Sequence, residues 1–390
     1  MEATSITLRL LYFCFYGSAV GVSSFRNIYF QQQGLTATHI GLIAALEPAV
    51  MLVSQPFWGM ASDTYGRRRV LLMLIAISAF LTLGYTAPVN VWLLAALALI
   101  LSFFRSSSGP ILDSIVLDHL DSTGGRYARY RLWGAVGWSS MALVIGQITQ
   151  AYGIRSAFIF GAMGLGVVYL LLWRFVPPGE TKHFEGRAST GFKAILQNRN
   201  LIKFLVLAFM VQLSAASILS MLPLYLKELG ASHRTIGLAF TLEGISEIPF
   251  FLLADRILAM WGVKPLLVVA VFAYSLRLIL YSLAATPWMA LMPQLLHGAC
   301  WAFFVTAAVN YVNEQVPSEL RSTGQTLFTA VFWGLGATTG NALAGFMFDR
   351  IGPAAMYRYQ GLFALCAAFY ALLVLPRTKA SKQKTDDLTA

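Results

Sequence analysis

Apolar residues follow one another along this chain in long, nearly continuous runs that short polar segments separate. A helix needs about 20 residues to cross the roughly 30 Å hydrocarbon core of a bilayer. Twelve runs come close to or exceed that length, and they are unbroken rather than alternating, so they predict helices and not barrel strands. The predicted spans are residues 6–33, 39–60, 70–87, 91–118, 130–150, 154–176, 201–228, 234–258, 264–284, 287–315, 322–349 and 354–376.

The composition places these helices in a membrane. Hydrophobic residues make up 57% of the chain and charged residues only 12%, whereas soluble domains carry about 25% charged residues. A soluble fold could not hide so much apolar surface. We therefore predict an all-α integral membrane protein with twelve transmembrane helices in two six-helix bundles. The first run is long and carries Arg26, which predicts a helix and not a cleaved signal peptide.

The net charge of +11 is distributed unevenly across the predicted membrane. Most lysines and arginines fall in loops on one side, and such loops face the cytoplasm. Both termini are therefore predicted to be cytoplasmic, with the basic surface facing anionic lipid headgroups and not nucleic acid. Cys14, Cys300 and Cys366 lie in predicted helices without the spacing of a metal or disulfide motif, so we expect them to be packing residues.

The polar segments divide the chain into two similar halves. Residues 1–176 form a predicted N-terminal bundle and residues 201–376 a C-terminal bundle, joined by a cytoplasmic loop over 177–200 and followed by a polar tail over 377–390. Parallel repeats of this kind are typical of alternating-access carriers. At an offset of 196 residues, Tyr29, Gly34, Gly41 and Glu47 recur as Tyr225, Gly230, Gly237 and Glu243; at an offset of 199, Gly137, Gly146 and Gly153 recur as Gly336, Gly345 and Gly352.

A glycine- and arginine-rich loop joins the second and third predicted spans, reading Gly-Met-Ala-Ser-Asp-Thr-Tyr-Gly-Arg-Arg-Arg over 59–69. It resembles the G-x-x-x-D-[RK]-x-G-R-[RK]-[RK] signature of the major facilitator superfamily, with the threonine after the aspartate as the one departure. The resemblance implies a conformational latch in this loop. Gly59 would allow close helix approach and Gly66 a tight turn. Asp63 would accept hydrogen bonds from a neighbouring helix N-terminus and pair with Arg67.

Three further stretches resemble narrower groups within that superfamily. Arg105 to Gly109 is similar to an R-x-x-x-G element associated with proton coupling. Tyr-Arg-Leu-Trp-Gly over 130–134, together with Arg277 and the Gln-Leu-Leu-His-Gly run over 294–298, resembles the phenylpropionate permease group, which is allied to lactose permease and nucleoside/proton symporters. This likeness implies proton-coupled import without selecting a substrate.

Charged and polar residues inside the predicted spans are the candidate site residues. A charge at the bilayer centre costs about 2.5–3.5 kcal/mol even on gentle scales, so each one needs a function or a partner. The predicted substrate-binding residues are Tyr16, Asn27, Arg105, Arg277, Gln294, His297 and Trp301. The predicted proton-coupling residues are Glu47, Asp113, Glu243 and Glu247.

Structural alternatives stand beside several of these assignments. Arg26 and Glu47 lie at similar depth and could form an ion pair that joins two helices. Glu243 and Glu247 share a helix face, where they would either repel and favour binding of a proton or each neutralise an arginine such as Arg277. Asp113 could instead pair with a loop arginine.

The leading functional prediction is a secondary active transporter that moves a small organic solute by alternating access, with proton-coupled symport. The alternatives are a proton-coupled exporter or a facilitator and, from another class, a non-transporting membrane receptor. An enzyme is not expected, because HExxH, GxSxG and phosphate-loop motifs are absent. We predict a monomer in the plasma membrane, the inner membrane of a bacterium, without a cofactor.

Overall fold

The computed structural model describes residues 2–87, 90–123, 127–177, 197–317 and 320–376, and is helical over nearly all of them. Most of the predicted central loop and the whole predicted tail lie outside the described residues. The α-helices are α1 Glu2–Gln32, α2 Ala37–Tyr65, α3 Arg67–Gly84, α4 Val91–Arg105, α5 Ser108–Thr123, α6 Ala128–Tyr152, α7 Arg155–Phe175, α8 Arg199–Glu228, α9 His233–Trp261, α10 Val263–Ser282, α11 Pro287–Leu291, α12 His297–Gln315, α13 Arg321–Thr329, α14 Ala337–Ile351 and α15 Pro353–Val374.

Each of the twelve predicted spans coincides with helical chain. In the described part of the chain, ten helical stretches are long and apolar enough to cross a membrane. The other two predicted spans are α3, an 18-residue helix that starts with three arginines, and the stretch from α13 to α14. The prediction of a multi-pass, all-helical membrane protein is thus confirmed, while the count of twelve crossings stays a prediction.

Three of the predicted spans are irregular, and two of the irregularities occur at prolines. The fourth span turns between α4 and α5, where Pro110 has no N–H to give the Ser106 carbonyl. The side-chain amide of Gln55 donates to that carbonyl instead, at 3.3 Å. A 3₁₀ segment, Met292–Leu296, carries Pro293 and separates α11 from α12. A π-helical segment, Ala330–Gly336, separates α13 from α14.

The internal repeat is visible in the backbone. The six glycines with positive φ among the described residues form three pairs at the repeat offsets seen in the sequence. Such φ values are strained for residues with a side chain, so the same turn is built at the same place in each half. The pairs are Gly34 and Gly230 (φ 92° and 86°), Gly66 and Gly262 (92° and 81°), and Gly153 and Gly352 (83° and 80°).

The two chain halves touch most closely at the end of the molecule where α1 turns into α2, which we call the Thr36 end. Here α2 crosses α14 and α6 crosses α9 through glycines. A Cβ added at Gly41 would lie 2.8 Å from the Cα of Gly345, and one at Gly237 would lie 2.9 Å from the Cα of Gly146. Because such distances are too short for a side chain, the glycines permit this contact.

Side chains from one half also cap helices of the other half at the Thr36 end. The Asp349 carboxylate accepts hydrogen bonds from the backbone N–H groups of Ala37 (3.1 Å) and Thr38 (2.7 Å) at the start of α2. At the repeat-related position, the Gln150 amide oxygen accepts from the backbone N–H of His233 (3.0 Å) at the start of α9. Caps that join the halves hold this end closed.

The predicted latch lies at the opposite end of the molecule, which we call the Asp63 end. Gly66 adopts the predicted turn, with φ 92°. Arg67 bonds to Asp118 on α5, because α5 packs against α3, and not to Asp63 as predicted. A Cβ added at Gly59 would meet nothing within 4 Å, so in this conformation no neighbouring helix packs closely against that glycine. A latch role for Gly59 and Asp63 stays a prediction.

The caps lead to a first prediction about opening of the Thr36 end. Asp349→Ala removes charged hydrogen bonds at a helix N-terminus, which are stronger than the neutral one that Gln150 makes. We expect Asp349→Ala to raise labelling of a Ser23→Cys reporter in the cavity about tenfold from the Thr36 side. The measurement is the rate of reaction with a membrane-impermeant maleimide, after replacement of the three native cysteines by alanine.

Gln150→Ala is the matched control because it removes the cap at the repeat-related site. Its effect should be clearly smaller. An equal or larger effect of Gln150→Ala, or an unchanged labelling rate in Asp349→Ala, would contradict the role assigned to the charged cap.

Candidate substrate cavity and its charge network

A cavity of about 640 Å³ lies between the two chain halves. This volume suits a small organic solute. Its wall includes the irregular points of the fold, with Arg105 and Gly109 at the α4–α5 turn, His297 at the start of α12 and Trp333 in the π segment. Of the predicted site residues, those that line it are Tyr16, Asn27, Glu47, Arg105, Glu243, Glu247, Arg277, His297 and Trp301.

Arg277 on α10 is the centre of a polar network in the C-terminal half. Its side chain is fully buried. The Nε donates to the Tyr281 hydroxyl (3.0 Å), and one terminal nitrogen donates to the Gln294 side-chain oxygen. That same nitrogen lies 3.7 Å from a Glu243 oxygen, while the other bonds to Nδ1 of His297 at 2.7 Å. Arg277 and Glu243 therefore form the ion pair that one reading of the sequence predicts.

The bonding of His297 defines its protonation state in this conformation. A guanidinium can only donate, so Nδ1 of His297 must accept from Arg277. The other ring nitrogen, Nε2, then carries the proton and donates to Glu247 at 2.9 Å. A doubly protonated ring would place an N–H against the Arg277 donor. His297 is therefore neutral here and links the arginine to Glu247.

Glu243 and Glu247 occupy different surroundings although they share one face of α9. Glu243 is 8% exposed and lies beside Arg277 and His297. Glu247 is held by the His297 N–H, and its side chain is 20% exposed, against 11% for the side chain of Glu243. Of the two carboxylates, Glu247 is thus the better placed to exchange a proton with the cavity.

A second network in the N-terminal half repeats part of this arrangement. Glu47, the repeat counterpart of Glu243, forms a two-point ion pair with Arg26, one of whose bonds is 3.1 Å long. The predicted pairing of Arg26 with Glu47 is therefore present. Asn27, one residue further along α1, donates its amide to the Ser220 carbonyl on α8 at 2.8 Å and so links the two halves.

Arg131 is a cavity residue that the sequence reasoning did not select, although it lies in the noted Tyr-Arg-Leu-Trp-Gly motif. Its guanidinium stands over the Tyr16 ring at 4.3 Å, within the range of a cation–π contact. It is also close enough to Glu247, in the other half, for electrostatic attraction. Its place on α6 within an apolar span was the signal that could have identified it.

Two predicted site residues lie elsewhere than expected. Gln294 is fully buried behind the cavity wall, where it accepts from Arg277 and from the Tyr281 hydroxyl (2.8 Å). In this conformation it positions Arg277 and does not line the cavity. Asp113 pairs with no loop arginine in the described part of the chain. It accepts from the hydroxyls of Tyr12 and Tyr127, the latter at 2.8 Å, outside the cavity lining.

This arrangement, with a cavity that carries charged side chains between two repeated halves and with charges paired inside apolar helices, defines a membrane transporter of the major facilitator type. A profile of the MFS_1 like family matches residues 5–359, and the chain belongs to this family.

Three similar proteins carry the name of a transporter or permease, and the similarity covers nearly the whole length of each. The chain is 29% identical to an uncharacterized transporter, YwbF, of Bacillus subtilis, covering 95% of this chain and 92% of the relative. It is 27% identical to a maltose permease of Geobacillus stearothermophilus (96% and 95%) and 24% identical to a probable 3-phenylpropionic acid transporter of Escherichia coli (95% and 97%). A crystal structure of the nucleoside transporter NupG shares the fold, with a TM-score of 0.82 at 17% identity over 97% of this chain and 100% of that one.

The network around Arg277 generates a second prediction, about stability. Arg277→Ala leaves Glu243 buried without its cation, which we expect to cost about 3–5 kcal/mol. Glu243→Gln in the same chain removes the uncompensated charge and should restore part of the loss. Thermal unfolding of the purified protein in detergent measures both effects.

Glu47→Gln in the Arg277→Ala background is the matched control. Glu47 is the repeat counterpart of Glu243 but pairs with Arg26, so its neutralisation should give no recovery. If Glu243→Gln recovers no more stability than Glu47→Gln does, the ion pair of Arg277 with Glu243 does not contribute to the stability of the protein.

Proposed function

We propose that this protein is a proton-coupled symporter that carries a small organic solute by alternating access. In the proposal, twelve transmembrane helices form two six-helix bundles, of residues 1–176 and 201–376, that rock about the cavity. The protein would be a monomer in the plasma membrane with both termini in the cytoplasm, so that the Thr36 end faces outward. The basic loops support this orientation.

The observation that carries the proposal is the chain of contacts from Arg277 through His297 to Glu247 in the cavity wall. A symporter must couple the binding of a proton to the binding of solute. Glu247 is a carboxylate that a proton would neutralise. It contacts His297 and attracts Arg131 electrostatically, so a change in its charge would alter both interactions. Closely placed carboxylates and imidazoles inside a membrane are the usual parts of proton relays.

In the proposed cycle, the proton on Glu247 changes how strongly the two halves attract each other. Ionised Glu247 attracts Arg131 on α6, and closure of the Asp63 end would bring these helices closer. Protonation cancels that attraction and weakens the bond that Glu247 accepts from His297. The proton would therefore change the relative energies of the two access states, which is what coupling requires.

The relatives do not name the solute for this chain. A sugar, an aromatic acid and, among solved structures, a nucleoside appear in their names. A melting-temperature screen of maltose, 3-phenylpropionate and uridine on the purified protein is the first step, because a ligand that binds only the folded state raises its stability. The solute with the largest effect then serves as the transport probe.

The third prediction concerns coupling through Glu247. Glu247→Gln cannot bind and release a proton, so it should abolish uphill uptake driven by a pH gradient. Exchange of labelled for unlabelled solute without a gradient needs no net proton movement and should persist. The experiment compares uptake and exchange in proteoliposomes.

Asp255→Asn is the control, since Asp255 is an exposed carboxylate on the same helix outside the cavity lining. It should leave both activities intact. Uphill accumulation that survives in Glu247→Gln would move the proton site to another carboxylate. Loss of exchange together with uptake would indicate a role in solute binding or folding instead.

A further inference from the structure

Arg105 differs from the other arginines of the cavity in making no hydrogen bond or ion pair of its own in the described part of the chain. Its two terminal nitrogens, Nη1 and Nη2, are buried and make no hydrogen bond there. Arg26 is paired with Glu47, Arg277 with Glu243 and its neighbours, and Arg131 stands over the Tyr16 ring. A guanidinium without a counter-charge is unfavourable inside a membrane, so its retention indicates a ligand.

Other hydrogen-bond donors near Arg105 also lack acceptors. Nε of Arg26 and the hydroxyl of Tyr85 are buried without a well-formed hydrogen bond in the described residues, although Tyr85 lies within the electrostatic reach of both arginines and close to Arg26. Glu47 is the carboxylate that interacts electrostatically with Arg105, but each of its oxygens already accepts a hydrogen bond from a terminal nitrogen of Arg26. Donors therefore outnumber acceptors, and an anion with two oxygens would correct the imbalance.

The charge of the whole cavity leads to the same conclusion. Four arginines and three glutamates line it, and the contacts of His297 make that residue neutral. Before a proton binds to Glu247, when all three carboxylates are ionised, the lining thus carries one positive charge in excess. A ligand with a single negative charge balances it, whereas a neutral ligand leaves the excess and a dianion reverses it.

We propose that the cavity takes an organic monoanion whose carboxylate binds the corner formed by Arg105 and Arg26, with the buried hydroxyl of Tyr85 behind the wall. A carboxylate matches the planar fork of Nη1 and Nη2 of Arg105, a residue that lines the cavity. The body of the ligand lies against apolar and aromatic parts of the wall, including Trp138, Trp301 and Trp333. The proposal rests on the proposed function, because it names the class of solute.

The test compares acids with their own neutral amides on the full-length protein in detergent at neutral pH. The probes are benzoate, 3-phenylpropionate and butyrate, each beside its primary amide, with phthalate as a dianion. We expect at least one acid to raise the melting temperature in a saturable manner, with an affinity about tenfold or more above that of its amide. Phthalate should bind less tightly than benzoate.

Variants at the corner then identify the binding group. Arg105→Gln should weaken acid binding about tenfold or more, and Arg105→Lys should be intermediate because it keeps the charge but loses the fork. Without ligand, Arg105→Gln should melt at the same or a higher temperature than the wild type, since it removes an uncompensated charge. Arg174→Gln, an exposed position outside the cavity, is the control and should change neither property.

Several results would overturn the proposal. These are amides that bind as well as their acids, tighter binding of the dianion, acid binding that survives Arg105→Gln, or a lower melting temperature of ligand-free Arg105→Gln, which would make Arg105 a structural residue. The assay needs no transport, so the outcomes remain separate. Acid binding through Arg105 without pH-driven uptake would refute the proposed symport alone, and pH-driven uptake of a neutral solute without acid binding would refute the monoanion alone.

Discussion

The structure depends on compensation of charges that lie inside apolar helices. A buried charge is costly without a partner, and apart from Arg105 the buried charges of the cavity have partners on neighbouring helices or in the other chain half. Arg26 with Glu47 and Arg277 with Glu243 place one carboxylate–arginine pair in each half, and the two glutamates, unlike the arginines, occupy repeat-related positions. Both pairs line the cavity, so the interactions that permit charges in the membrane also place charged groups in its largely apolar wall.

Much of this architecture could be predicted from the sequence because its cause is local or periodic. Unbroken apolar runs predict membrane helices whatever their packing, and all twelve coincide with helical chain. The constant offset between the halves anticipated the paired glycine turns and the glycine contacts at the Thr36 end. Depth along a helix, at about 1.5 Å per residue, was enough to pair Arg26 with Glu47.

The finer features could not be predicted, because they depend on side-chain directions across helices that are distant in sequence. Gln294 and His297 belong to the same sequence motif, yet His297 lines the cavity whereas Gln294 is buried behind the cavity wall. The turn after Arg105 occurs where Pro110 cannot donate a backbone hydrogen bond, but the apolar run over 91–118 predicted one unbroken helix there. The neutral state of His297 could be deduced only once Arg277 was seen to face Nδ1. The sequence therefore predicted most of the residues that line the cavity, but it did not predict the contacts that each of them makes.

The central claim of this account is that Glu247, and not its neighbour Glu243, is the carboxyl group that binds and releases the proton. Infrared difference spectroscopy of the purified protein across a pH titration observes the carbonyl stretch of a protonated carboxylic acid directly. The account predicts a titrating band that disappears in Glu247→Gln and persists in Glu243→Gln and Glu47→Gln. A band that persists in Glu247→Gln, or that disappears only in one of the other two variants, would contradict it.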